Sequence, residues 1–255
     1  MIADQIREIL QTGGVENFRQ EARWIIAETA DDETAVAAAH RRAAGEPLQY
    51  ILGTAPFRYL TLDVDRRVLI PRPETETLVE WVLKRAPQGA SVVDLGCGSG
   101  AIALSLAHER QDLQVTAVDL SPDALDVARH NAEKCALADK VEFVHSDLFS
   151  QLAGRKFDIV AANLPYVTAE EYDTLDREVR EFEPEMALVA PDAGLQLICR
   201  TIARLDEFLK PGGAAIFELS PPQAPAVVAE LQKHGFTGWG ELDLCGRERF
   251  VCGAK

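Results

Sequence analysis

The chain has 255 residues, 47% of them hydrophobic and 26% charged, enough apolar material for a full core and too much for a disordered chain. Its 41 acidic against 26 basic residues give a formal net charge of -15, which sets the surface as a whole against nucleic acid and anionic membranes, although a local basic channel would survive such a total. No apolar run approaches the roughly 20 residues of a membrane span, and Met1 to Gln11 lacks a basic segment ahead of an uninterrupted apolar core, so a cytoplasmic protein without a secretory leader is expected.

Residues 2 to 43 carry helical periodicity in three pieces, through Ile2, Ile6, Ile9 and Leu10, then Phe18, Ala22, Ile25 and Ile26, then Val36 and its alanines. Gly13-Gly14 and Asp31-Asp32 separate them. The amphipathic faces show only that these helices pack, so a stabilising cap and a recognition domain for a macromolecular substrate stand side by side. Gly45-Glu46-Pro47 ends the helical pattern, and Phe57 to Val64 reads as one strand from its aromatic and β-branched content. Val68-Leu69-Ile70-Pro71-Arg72-Pro73-Glu74-Thr75-Glu76 reads as a strand entering a helix that continues through Leu83. Pro73 and Glu74 suit that helix start, but Arg72 is left without a reason.

From Ser91 onward apolar runs alternate with helical ones. The strands are Ser91 to Leu95, Val115 to Leu120, Val141 to His145, Phe157 to Ala162 and Ala214 to Leu219, with helices at 101–108, 122–134, 194–209 and 222–234. Such alternation means a parallel sheet with crossovers. Gly238 to Cys252 reads as two closing strands joined through Gly246, one of them antiparallel at or near the edge. The predicted fold is therefore α/β, a doubly wound and mostly parallel seven-stranded sheet. A small helical domain at 1–44 and a linker with short strands at 45–86 precede the Rossmann-like domain at 87–255. The five cysteines show no paired or metal-ligand spacing and read as small core residues, with no metal site.

Asp94-Leu95-Gly96-Cys97-Gly98-Ser99-Gly100 ends the first strand of that sheet. Strand, glycine turn and helix bring backbone amides close to a ligand at a helix start. The glycines also fit the dinucleotide fingerprint, and Asp119 lies nearly where that fingerprint wants a ribose-binding acid. Asp94 points elsewhere. A carboxylate just before the turn repels a pyrophosphate but suits a ligand with an ammonium and a sulfonium, as in S-adenosylmethionine. In an open sheet, ligands bind across the carboxyl ends of the strands. Asp119 ends the second strand and is expected to accept hydrogen bonds from ribose hydroxyls. Asp147 follows the third and is placed near the adenine, with Leu148 packing on the ring, although an Asp there also suits a turn cap.

Asn163-Leu164-Pro165-Tyr166 follows the fourth strand. Asn and Pro are ordinary turn residues, but the same four suit methylation of a planar NH2. The lone pair of an amide or aryl amine is delocalised, so the nitrogen must be oriented. The Asn163 side-chain oxygen and the Leu164 carbonyl can accept from one NH2, Asn163 also borders the cofactor, and Tyr166 can cover the planar group. Together with the glycine turn and Asp119, this tetrad favours an amino-methyltransferase over an oxidoreductase or a non-catalytic binding module.

Gly45-Glu46-Pro47-Leu48-Gln49-Tyr50-Ile51-Leu52-Gly53, the Pro-Arg-Pro-Glu-Thr-Glu run of Val68 to Glu76, Phe182-Glu183-Pro184 and Asp243-Leu244-Cys245-Gly246-Arg247 extend the pattern over most of the chain. Here the sequence resembles the protein-glutamine N-methyltransferases that modify peptide-chain release factors. The resemblance implies an S-adenosyl-L-methionine-dependent fold acting on the glutamine of a Gly-Gly-Gln loop, as a monomer. Asn163, Leu164, Pro165, Tyr166 and Arg72 would then face the substrate, and the helices at 2–43 would help to hold the release factor. That family usually has Asn-Pro-Pro-Tyr where this chain has Leu164, a variant that resembles the tetrad of ribosomal RNA adenine dimethyltransferases. The needed carbonyl belongs to the backbone, so leucine keeps it and gives up only the fixed φ of proline. An amino-methyltransferase acting on adenine or cytosine of RNA or DNA therefore stands as the alternative, against which residues 168 to 192 carry nine acids and two arginines, a poor lining for a phosphate backbone, so direct nucleic-acid binding is not expected.

Overall fold

A computed structural model describes residues 2–255. Helices Ile2–Thr12, Phe18–Glu28 and Asp32–Ala43 form the first unit around Ile6, Leu10, Ile25 and four alanines. Fully burying such an aliphatic side chain stabilises by about 1.5–3 kcal/mol, so so small a core gains from attachment to the rest of the molecule. Leu48, Ile51 and Leu52 of the short helix Leu48–Leu52 close one side of it. Arg42 closes another, with Nε on Glu21 at 2.6 Å and Nη1 on Glu178 of helix Arg177–Phe182 at 2.7 Å.

The strand expected over Phe57 to Val64 is present from Leu60 to Asp63 as β2, but it pairs in a hairpin with β1 (Thr54–Phe57), and its first residues form the turn. The break falls at Arg58, whose φ of 50° is a turn conformation. Its amide donates to Glu76 at 3.1 Å and its guanidinium reaches Glu80 and Glu109, so partners far along the chain hold the turn. The strand expected at Val68–Ile70 is also absent. The segment has no ladder, and side chains satisfy it instead: the Tyr50 hydroxyl donates to Val68 O at 2.6 Å, and Ile70 N donates to Glu183 at 3.1 Å. A 3-10 turn, Pro73–Thr75, then leads into helix Glu76–Arg85.

The large sheet comprises β3 (Ser91–Leu95), β4 (Gln114–Asp119), β5 (Val141–His145), β6 (Phe157–Ala162), β7 (Leu209–Glu218), β8 (Thr237–Leu242) and β9 (Glu248–Ala254), in the order 5-4-3-6-7-9-8. The first five are parallel, and β9 runs antiparallel between β7 and the edge strand β8. Helices Ala101–Glu109, Pro122–Lys134, Gln196–Ile202 and Ala224–Lys233 pack on its two faces. The run expected as one helix to Leu209 divides in two, Gln196–Ile202 and Leu205–Phe208. Chain order reverses between β3 and β6, and a ligand crevice forms at such a switch point. Cys97 and Cys252 are core residues as expected, but Cys135 and Cys199 are half-buried, and Cys245 is exposed in the β8–β9 turn.

Candidate active site

A cleft of about 1060 Å3, counted to its open mouth, lies over the carboxyl ends of β3, β4 and β6. Gly96 to Ser99 form its floor. Gly96 has φ +76°, and a Cβ there would sit 3.1 Å from Leu164 Cδ2, so glycine serves both the turn and the approach of the β6 loop. Three amides of this turn, those of Gly96, Cys97 and Gly98, are already spent. Gly96 N and Cys97 N donate to Val118 O at 2.8 and 2.9 Å, and Gly98 N donates to Asp119 at 2.8 Å. The turn is thus tied to β4 rather than left as a ring of free donors for a phosphate. Asn131, fully buried, braces it from the other side by donating to Ser99 O at 3.0 Å and to Asp63 O at 2.9 Å.

Asp119 lines the cleft with its carboxylate held by Gly98 N and, at 2.9 Å, by Ser121 N. Burial raises its pKa from the ordinary value. Two fixed donors aim the carboxylate and leave lone pairs toward the cleft, a geometry suited to a diol. Asp147 and Leu148 line the same cleft. Arg200 engages Asp147 at 2.7 Å, and Leu148 sits at φ 49°, held by the Ser146 hydroxyl donating to Leu148 O at 2.9 Å. A leucine in that sparsely populated conformation is the kind of strain found at ligand clamps. Exposed Leu120 and Met186 complete the apolar rim.

Asp94 and Gly100 do not line the cleft. Gly100 caps helix Ala101–Glu109, and Asp94 is wholly buried behind the turn, accepting from Ala103 N at 3.2 Å. Its Oδ1 has no hydrogen-bond partner among the described residues, and burial, with the nearby Asp119 charge, pushes its pKa up to about 7. Its influence on a ligand is therefore exerted from behind the floor.

A second, smaller cavity of about 350 Å3 adjoins the first and shares with it Leu69, Arg72, Asn163, Leu164, Pro165 and Ala187. Tyr166 and Glu218 line only this one. The tetrad therefore stands where the two spaces meet. Asn163 Oδ1 and the Leu164 carbonyl accept no hydrogen bond among the described residues, while Asn163 Nδ2 donates to Thr75 Oγ1 at 3.2 Å. Tyr166 donates to Glu218 at 3.4 Å, and burial pushes its hydroxyl pKa up to about 12. Gln223 holds the tetrad's loop, its Nε2 donating to Tyr166 O at 2.8 Å and Ala193 O at 2.9 Å. Gly194 lies so close beneath that a Cβ would fall 2.0 Å from Tyr166 O. Leu164 is 4% exposed in the apolar cluster under β3 and β6, which explains how leucine is accommodated at this position.

Arg72 lines both cavities, but its Nη2 donates at 2.5 Å to Glu183, whose other oxygen holds Ile70 N. It clamps the segment before the 3-10 turn onto the segment after Tyr166. None of the nine acids of residues 168 to 192 lines either cavity; the lining from that segment is Pro184, Met186, Ala187 and Leu188. Sequence reasoning missed Thr75, Glu218, Gln223 and Gly194. Only Glu218, an acid ending a buried parallel strand, carried a readable signal.

A family model for the methyltransferase small domain matches residues 73–182. The release factor glutamine methyltransferase of Salmonella typhimurium is 41% identical over 218 residues, covering 84% of this chain and 77% of that one. The protein of that name from Geobacter sulfurreducens is 37% identical, covering 92% and 88%. Among solved structures, a methyltransferase from Pyrococcus furiosus is similar with a TM-score of 0.59 at 16% identity, covering 76% of this chain and 88% of that one. The 16S rRNA N2 G1207 methyltransferase of T. thermophilus, solved with AdoMet and guanosine, is similar with a TM-score of 0.56 at 18% identity, covering 79% and 49%. These two likenesses concern the fold alone. With the expected sheet in place, the tetrad at the junction of two cavities and relatives this similar over most of its length, the chain belongs to the release factor glutamine methyltransferases.

Proposed function

We propose that this protein transfers a methyl group from S-adenosylmethionine to the side-chain amide nitrogen of the glutamine in the Gly-Gly-Gln loop of a peptide-chain release factor. The observation that carries it is the meeting of the two cavities at Asn163-Leu164-Pro165, one bordered by the glycine turn and Asp119, the other by Tyr166. The residues fit this cofactor better than a dinucleotide, because the amides of Gly96, Cys97 and Gly98 are spent within the protein and the acid behind the turn is unfavourable to a pyrophosphate.

Asp119 would hold the ribose hydroxyls, Leu120 and Leu148 the adenine, and Gly96 to Ser99 the methionine portion. When bound there, S-adenosylmethionine supplies a sulfonium methyl group. Asn163 Oδ1 and the Leu164 carbonyl accept from the two N–H groups of the acceptor amide, which fixes the nitrogen's direction and leaves its face open to the cofactor cleft. Tyr166 covers the other side of the plane. The nitrogen gains one carbon and releases one proton to solvent. No strong base is required, because alkylation makes the N–H acidic. The helices at 2–43 would help to hold the release factor; deleting residues 1–43 without loss of release-factor binding would remove that role.

The test is incubation with labelled S-adenosylmethionine and a mixture of release factor and total RNA. A 14 Da increment on the loop glutamine is expected, by the mass of CH2 gained (about 14 Da). Label in RNA and none in the loop would overturn the substrate assignment.

A further inference from the structure

Thr75 lies 88 residues from Asn163 in the chain and is 4% exposed at the end of the 3-10 turn. Its hydroxyl donates to Glu218 Oε2 at 2.7 Å, and its oxygen accepts from Asn163 Nδ2 at 3.2 Å. A hydroxyl has one proton. With that proton committed to a carboxylate, Thr75 Oγ1 can only accept from its other neighbour, so the Asn163 amide is held with Nδ2 on Thr75 and Oδ1 left without a protein donor among the described residues, where the two cavities meet. The reversed amide would set its NH2 against the NH2 of the substrate, donor against donor. Tyr166 leans on the same carboxylate through Oε1. Glu218 ends β7 beside Asn163, since Ala162 and Phe217 are paired in register, and it is 2% exposed.

We propose that Thr75 and Glu218 are positioning residues that fix the orientation of the Asn163 amide, so that its oxygen rather than its nitrogen meets the substrate amide. The inference rests on the function proposed above and deepens it. Four groups face Glu218: Thr75 and Glu74 from the 3-10 turn, Tyr166 from the loop after β6, and Arg249 from β9. Burial dominates among them and pushes the Glu218 pKa up to about 7. Protonation turns that carboxylate from an acceptor into a donor. The Thr75 proton is then free to turn toward Asn163, and both amide orientations become acceptable. Methyl transfer therefore weakens as pH falls below about 7 for a reason separate from cofactor binding.

The full chain is assayed with release factor and saturating S-adenosylmethionine, with cofactor Kd measured by calorimetry. Thr75→Val, which keeps the side chain's shape where it lines the cofactor cleft, is expected to lower kcat about 10–100-fold, the scale of misplacing a reacting partner by an ångström or so, with Kd changed by a smaller factor. Thr75→Ser is expected to restore kcat. Glu218→Gln is expected to abolish the acid limb near pH 7 and leave a low, flat rate. A folded Thr75→Val enzyme with wild-type kcat, or a Glu218→Gln enzyme that keeps the limb, would overturn the proposal. The Asn163 side-chain NH2, followed by NMR without substrate, is expected to be protected from exchange in the wild type and unprotected in Thr75→Val. Unchanged protection would overturn the proposal even if the wild type methylated no release factor, an outcome that would count against the function alone.

Discussion

The two sides of Asn163 are built by different means. On the cofactor side, strands β3, β4 and β6 deliver a glycine turn, Asp119 and Asn163 to one edge, and backbone amides hold the key carboxylate. Around the tetrad, single side chains from distant segments do the holding: Glu218, Gln223, the Arg72–Glu183 pair and Thr75, which reaches Asn163 and Glu218 from the wall of the cofactor cleft. A site made from backbone follows from topology, whereas one made from side chains depends on each contact separately. Damage to the first should show in binding, and damage to the second in transfer.

Among the residues flanking Asn163, the largest expected effect is on the cofactor side. Asp119→Ala removes the proposed ribose acceptor and strands the Gly98 amide, and hydrogen bonds to charged groups contribute about 1.5–3 kcal/mol each, so cofactor Kd measured by calorimetry should rise by about a hundredfold or more. Unchanged affinity would break the comparison at its simpler half. Next is Gly194→Ala. Its Cβ would meet the Tyr166 carbonyl at 2.0 Å from a backbone at φ +77°, so the tetrad's loop must shift. Transfer should fall about tenfold to a hundredfold with cofactor affinity largely kept, as single-turnover kinetics would show.

The glycine turn, Asp119 and Asn163 were legible because strand periodicity placed them at carboxyl ends, and the chemistry of each residue type did the rest. The alternation of strands and helices from Ser91 onward was legible for the same reason: the central strands β3, β4 and β6 each bury a short apolar run. The missed elements share a cause. Arg58 breaks an apparent strand through glutamates of helix Glu76–Arg85 and Glu109, and Val68–Ile70 stays extended without a ladder because Tyr50 and Glu183 satisfy it. Thr75 lies inside the run read as a helix start and had no role of its own there, and its partner Glu218 is 143 residues away. Periodicity carries no record of such pairings.

A smaller effect concerns the floor. Asp94 is buried with its pKa raised to about 7, above its unfolded value, so protonation favours the folded state. That stabilisation is complete below the unfolded pKa and is lost as pH rises through about 7. The ligand-free wild type should therefore lose more stability than Asp94→Asn between about pH 3 and 8, an interval of roughly 5 units that spans both pKa values, in thermal melts of the two proteins. Parallel curves would mean that Asp94 is ionised behind the turn. The smallest effect is expected from Leu164→Pro. The Leu164 amide makes no hydrogen bond among the described residues, and its carbonyl is retained. Melting should report a loss of about 1 kcal/mol from the trimmed core contact, with the transfer rate nearly unchanged; a large change in rate would give the leucine a role in acceptor choice.

The most direct test of the division between the two sides is Asn163→Ala, with S-adenosylmethionine affinity and the rate of loop-glutamine methylation measured on the same preparation. The account predicts an affinity within a few-fold of wild type and a transfer rate lower by about two to three orders of magnitude. Equal losses in both would mean that Asn163 chiefly builds the cofactor cleft, and would contradict it.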